Sequence, residues 1–162
     1  MDALTKKFSE EINLHKGIVH KICNFYRKDK ADREDLFQEI VYNAWHAYPR
    51  FEGRSKFSTW LYRVAINTAL HHNRKDKFFG KTSGLDMIQD LTHTESDNER
   101  YSSLWKAIDL LDSLEKSLVL LYLDELSYKE ISEITGITEN NVGVKLNRIK
   151  TKIKEIITKY GA

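Results

Sequence analysis

Proline is almost missing from this chain, at one in 162 residues, and glycine is scarce at seven. So few turn formers argue against a sandwich or barrel and against Pro- or Gly-rich disorder, and favour helices with few connections. The single cysteine, Cys23, excludes an internal disulfide framework and fits a reducing compartment. No apolar run approaches the roughly 20 residues needed to span a bilayer. Met1-Asp2-Ala3-Leu4-Thr5-Lys6-Lys7 has no apolar stretch behind its lysines, so no secretory signal is expected. The expectation is a soluble cytoplasmic protein without membrane insertion. Catalytic motifs are lacking too. With neither a Gly-rich phosphate loop nor a nucleophile elbow, no enzyme is expected. The six histidines do not alter this: His71 and His72 are adjacent, His-Glu-x-x-His is absent, and one cysteine cannot make a Cys-x-x-Cys pair. Neither a metal nor a cofactor is expected.

Charge is what the chain has in quantity, and it comes in blocks. Residues 1–75 carry 14 Lys and Arg against 9 Asp and Glu, and residues 76–100 carry 3 against 6. Residues 101–139 carry 3 against 8, and residues 140–162 carry 6 against 1. Two separated basic zones on a chain of net charge +2 suggest two contacts with a polyanion.

The apolar periodicity is helical. Phe8, Ile12, His15, Ile18, Val19, Ile22 and Tyr26 predict an amphipathic helix over 5–27. After the polar Lys28-Asp29-Lys30-Ala31-Asp32, the residues Leu36, Ile40, Val41, Ala44, Trp45 and Tyr48 predict a second, ended by Pro49. A short loop, Arg50-Phe51-Glu52-Gly53-Arg54-Ser55-Lys56, leads to a third helix over about 58–75, carried by Leu61, Val64, Ala65, Thr68 and Ala69. Three such helices can close one core. From 76 to about 97 no long period survives beyond a helical turn expected near 85–91, and 82–99 contains no Lys or Arg. A stretch of that length without elements of its own reads as a tether between domains.

Helical spacing resumes at Tyr101, Leu104, Trp105, Ile108 and Leu111. Asp112 and Glu115 are spaced as a helix cap for the apolar run Leu118-Val119-Leu120-Leu121-Tyr122-Leu123. Ser127 with Glu130 has the Ser-x-x-Glu spacing of a capping box and opens a short helix. Gly136 supplies a turn, and Thr138 caps a last helix reaching about Tyr160. A capped short helix, a Gly-containing turn and a second capped helix make a helix-turn-helix. Ile131, Ile134, Ile137, Val142 and Leu146 would hold it together. Asn140, Asn141, Val144, Lys145, Asn147 and Arg148 would then face outward, where Asn suits adenine and Arg or Lys suits guanine or phosphate. The plainer reading is a helical corner followed by a solvated basic helix.

Three runs carry a resemblance. The helix-turn-helix, preceded by Leu114-Glu115-Lys116-Ser117-Leu118-Val119-Leu120-Leu121-Tyr122, resembles region 4 of the extracytoplasmic-function (group 4) RNA polymerase sigma factors. Ala31-Asp32-Arg33-Glu34-Asp35-Leu36-Phe37-Gln38-Glu39 resembles the family's region 2 signature. Phe57-Ser58-Thr59-Trp60-Leu61-Tyr62-Arg63-Val64-Ala65-Ile66-Asn67 resembles the run that follows it, and Arg74 fits its basic end. The likeness covers nearly the whole chain in the right order. Departures fall at Gly143 and Val144, where basic and small polar residues are usual, at Lys145 for arginine, and at His71 for Asp.

The resemblance implies an all-α protein of two small helical domains joined by an acidic linker. Residues 1–76 would be a three-to-four-helix region 2 domain, 77–97 the linker, and 98–162 a region 4 helix-turn-helix domain. It implies core RNA polymerase, through its largest subunits, and promoter DNA as partners, with an anti-sigma factor as restraint. Asp35, Gln38 and Glu39, which share one helix face, would meet the polymerase; the bland alternative is a solvated acidic face. Glu52, Arg54, Ser55, Lys56, Arg63, Asn67 and Arg74 would handle the minus-10 element, the loop capturing an unstacked base. The alternative there is a polar connector anchored by Phe51 and Phe57. Thr138, Asn140, Asn141, Val144, Lys145, Asn147 and Arg148 would read the minus-35 element. Trp60 is placed in the core rather than as a stacking platform, and Trp45 and Trp105 are assigned to packing. The runner-up function is a helix-turn-helix regulator with an N-terminal sensing or dimerisation domain, which would have no need of a basic, aromatic loop.

Overall fold

The computed structural model describes residues 2–78 and 95–160, and every element among them is helical. Backbone proximity groups the described residues into two compact units: residues 2–75 with 133–135, and residues 76–78 and 95–132 with 136–160. The turn expected near 85–91, and most of the expected linker, lie outside the described residues.

The first unit holds α1 (Ala3–Tyr26), α2 (Lys30–Ala47), a 3-10 turn (Tyr48–Arg50) and α3 (Phe57–Phe78). The Asp2 carboxylate starts α1 by accepting the Thr5 amide at 2.7 Å, a cap that satisfies one of the helix's unpaired N–H groups. Only Arg27–Asp29 separate α1 from α2, so the polar interruption is shorter than the sequence suggested. Pro49 lies in the 3-10 turn, where its missing N–H is harmless and its ring stops the helix. Val19 and Ile22 of α1, Leu36, Ile40 and Ala44 of α2, and Leu61, Ala65 and Ala69 of α3 are wholly buried. Their spacings of three, four and eight put one stripe of each helix into the core. Asn43 of α2 donates to the Thr68 hydroxyl at 3.0 Å, and Thr68 donates to the Val64 carbonyl. These bonds satisfy polar groups that burial would otherwise penalise.

The second unit holds α4 (Glu95–Asp109), α5 (Ser113–Leu123), α7 (Glu139–Tyr160) and the first five residues of α6 (Tyr128–Thr135), whose last three are grouped with the first unit. Both α4 and α5 pack on α7. Complete capping boxes open α5 (Asp112 with Glu115) and α6 (Ser127 with Glu130). After α5 the chain turns through Glu125, a non-glycine residue at φ 61°, with the Leu126 amide bonded back to Leu121 at 3.2 Å. That left-handed exit satisfies end carbonyls of the helix. Ala107, Ile108, Leu111, Leu118, Leu121, Ile131, Val142, Leu146 and Ile149 are buried. No helix among the described residues is long and apolar enough to cross a membrane.

Candidate nucleic-acid interface

The short α6 stops at Gly136, whose φ of 79° is left-handed, a conformation that costs glycine nothing. The chain then re-enters helix at α7, where Thr138 accepts the Asn141 amide at 3.2 Å. These local choices set the phase of α7. Val142, Leu146 and Ile149 face inward and are buried, whereas Asn140, Asn141, Val144, Asn147 and Arg148 are exposed and Lys145 is half-buried. The expected reading residues thus share the outer surface of one basic helix, and Thr138 is exposed at its N-terminus. Ile137 in the turn is only half-buried.

Rings frame the second basic feature. Phe51 and Phe57, at the two ends of the loop, lie 6.0 Å apart between ring centres. Trp60 is 5.1 Å from Phe51 and 5.4 Å from Phe57, and Tyr48 is 6.1 Å from each of these three. Phe8 extends the cluster to Trp45 at 5.2 Å, and His15 stacks obliquely on Phe57 at the same separation. Aromatic pairs in such tilted arrangements each add roughly 0.5–1.5 kcal/mol beyond area burial. Both phenylalanines therefore anchor the loop, and the Trp60 ring packs in the cluster, half-buried.

Between the anchors the backbone turns at Gly53, φ 73°, which leaves Glu52, Arg54 and Lys56 exposed and Ser55 half-buried. Arg54 and Glu52 pair with each other at 2.9 Å while their side chains remain 88% and 66% exposed. An ion pair so open to water is worth little, so the guanidinium is free to exchange its partner for a phosphate. Arg63 and Asn67, four residues apart, are exposed on one side of α3. Arg74 falls on α3, but its side chain lies outside the described residues.

On α2, Asp35 and Gln38 are exposed and Glu39 is half-buried, directly outside the buried Leu36 and Ile40. All three lie on the outer side of a helix fixed by its own core stripe. Among the described residues, then, each basic feature has its expected side chains at the surface and an apolar layer beneath.

Several contacts near α7 were not foreseen. Lys152 bonds the Glu115 carboxylate at 3.1 and 3.4 Å, and the Lys150 ammonium sits 4.3 Å from the centre of the Tyr122 ring. Both are long-range pairs without a sequence signal. They tie the far half of the basic helix to α5, so its lysines are not equivalent. A third unforeseen contact explains Gly143: a methyl group there would meet the Tyr128 ring at 3.3 Å.

Comparison with known proteins gives two family matches: Sigma-70 region 2 over residues 12–79 and Sigma-70, region 4 over residues 101–153. Among curated proteins the chain is 31% identical to the RNA polymerase sigma factor YlaC of Bacillus subtilis, over 91% of each chain. It is 28% identical to the ECF RNA polymerase sigma factor SigW of the same organism, over 91% of this chain and 87% of that one. Among solved structures it is similar in fold to the sigma factor RpoE of Bartonella quintana, determined with the anti-sigma factor NepR. There the TM-score is 0.70 at 19% identity, covering 94% of this chain and 98% of that one. CnrH, determined with the cytosolic domain of CnrY, gives a TM-score of 0.66 at 17% identity, covering 96% and 90%.

Proposed function

The chain belongs to the sigma-70 family, as a promoter-recognising RNA polymerase sigma factor of the extracytoplasmic-function type, and from that premise we propose which residues do its work. Proteins of this family are initiation factors rather than enzymes. A region 2 match over residues 12–79 fills the part of this sequence that the regulator reading would give to a sensing or dimerisation domain.

Asp35, Gln38 and Glu39 form the face that binds core polymerase. Glu52, Arg54, Ser55, Lys56, Arg63, Asn67 and Arg74 hold the minus-10 element, and the residues 51–57 loop takes a base out of the stack. Thr138, Asn140, Asn141, Val144, Lys145, Asn147 and Arg148 read the minus-35 element. Residues 1–76 and 98–162 act as separate domains joined by 77–97. The observation that carries the minus-10 assignment is the loop itself, whose exposed Glu52, Arg54 and Lys56 stand between ends held by packed rings. A rigid frame under a polar loop suits capture of a single base, since little ordering entropy remains to be lost on binding.

The chain works in the cytoplasm, where it meets the polymerase. An anti-sigma factor restrains it. In support, a protein of the same fold, the sigma factor RpoE, was determined with the anti-sigma factor NepR, and a second, CnrH, with the cytosolic domain of CnrY.

Reconstitution with core polymerase tests the assignment. Reversing the charges of Asp35 and Glu39 to Lys is expected to abolish holoenzyme assembly in a pull-down, with helix content and melting temperature nearly unchanged, because surface changes away from packing cost little. Assembly of that double mutant at wild-type affinity would show that another face meets the polymerase.

A further inference from the structure

Within the recognition helix, Gly143 is the residue that helix propensity disfavours, by roughly 1 kcal/mol relative to alanine. The tertiary structure gives its reason: Cε2 of Tyr128 lies 3.3 Å from where a Cβ would stand, and Cδ2 lies 3.8 Å away. Tyr128, the first residue of α6, thus lays its ring over a gap in α7. A Cβ at 143 would press on the ring edge, which would have to give by a few tenths of an ångström. Tyr128 remains 40% exposed, and so does Val144, the residue after Gly143 in α7.

Positions 140, 143, 144 and 147 follow one another at helical spacing, so this apolar surface sits between Asn140 and Asn147, both exposed. An apolar surface flanked by two amides, on a helix that also presents Lys145 and Arg148, has one natural counterpart in duplex DNA. Every A·T pair shows the major groove an adenine N6/N7 edge, which an amide can bond bidentately, beside the C5-methyl of thymine.

We propose that the Tyr128 ring and Val144 form a methyl-reading surface that selects thymine in the upstream promoter element, beside an adenine read by Asn140 or Asn147. The inference rests on α7 being the duplex-reading helix. Ring carbon, not the phenol hydroxyl, does the reading, with Gly143 as the residue that admits the ring.

The test uses holoenzyme made with the full chain and duplexes that it selects from a library randomised upstream of a fixed minus-10 region. Each selected thymine is replaced in turn by deoxyuridine, which lacks only the methyl. At one position the replacement is expected to weaken binding about fourfold, the worth of one buried methyl-sized group. Val144→Ser and Tyr128→Ala should each erase that difference, while Tyr128→Phe should retain it. Melting curves of the exposed Val144→Ser variant guard against a fold defect. No deoxyuridine effect at any position, or an effect that survives Val144→Ser, overturns the proposal. Lys145→Ala with Arg148→Ala separates the two levels. If that pair weakens binding but deoxyuridine does nothing, only the methyl-reading surface is wrong. If the pair too is without effect, α7 is not the reading helix.

Discussion

Cys23 shows how far one side chain's chemistry is set by what surrounds it. Its side chain is 2% exposed in the first unit. Burial pushes the thiol up to about 11, with the Arg27 guanidinium acting weakly in the other direction. A buried thiol of this kind packs as a small apolar group and is a poor nucleophile. Iodoacetamide at pH 8 is therefore expected to label the native protein slowly and the urea-unfolded protein fast, and rapid labelling of native chain would mean that α1 opens. The linkage has a definite sign. The folded value lies above the unfolded one, so the thiol's contribution to stability is complete below pH 9.0 and declines as the pH rises toward about 11. The Arg54–Glu52 pair is the opposite case, two charges in water with little energy between them, and so available to a ligand.

Among the elements, the loop at 51–57 and helix α7 are expected to fail differently when altered. Lys145 and Arg148 lie in the early turns of a basic helix, whereas Arg54 and Ser55 project from a loop on a frame of rings. Replacing Lys145 and Arg148 by Ala should weaken promoter binding and lower the slope of log affinity against log salt by roughly one for each phosphate no longer neutralised. Replacing Arg54 and Ser55 by Ala should leave the closed complex intact and reduce strand opening, read as permanganate reactivity of unpaired thymines. A template pre-melted by mismatches at the minus-10 region should restore much of that second loss, since unpairing no longer opposes capture. The same defect in both mutants on both templates would refute this division of labour.

At the scale of the whole molecule the question is how the two halves are joined. Residues 82–99 contain no Lys or Arg, so trypsin has nothing to cut there. A protease of broad specificity such as subtilisin is expected to cleave first within 80–97 and to release two resistant fragments. Resistance of that stretch, with early cuts inside residues 1–75 or 101–160, would count against independent domains. Both fragments should keep helical circular dichroism, because each described unit has its own buried apolar set.

The sequence by itself determined the helices of the second unit and the caps of α5 and α6, because periodicity and the Asp112–Glu115 and Ser127–Glu130 spacings act within a few residues. It also determined the stop at Pro49, the turn at Gly136 and the outward phase of Asn140, Asn147 and Arg148. Helix α1 starts at Ala3, two residues before the expected start, because the Asp2 carboxylate caps the Thr5 amide. What only the tertiary structure decided joins residues distant along the chain. Whether Phe51, Phe57 and Trp60 were anchors or stacking platforms depended on Tyr48, Phe8 and His15 arriving around them. Glu115 with Lys152 spans 37 positions, and the meaning of Gly143 waited on Tyr128, a residue of another helix. Periodicity tells which way a side chain points along its own helix; only packing tells what it meets there.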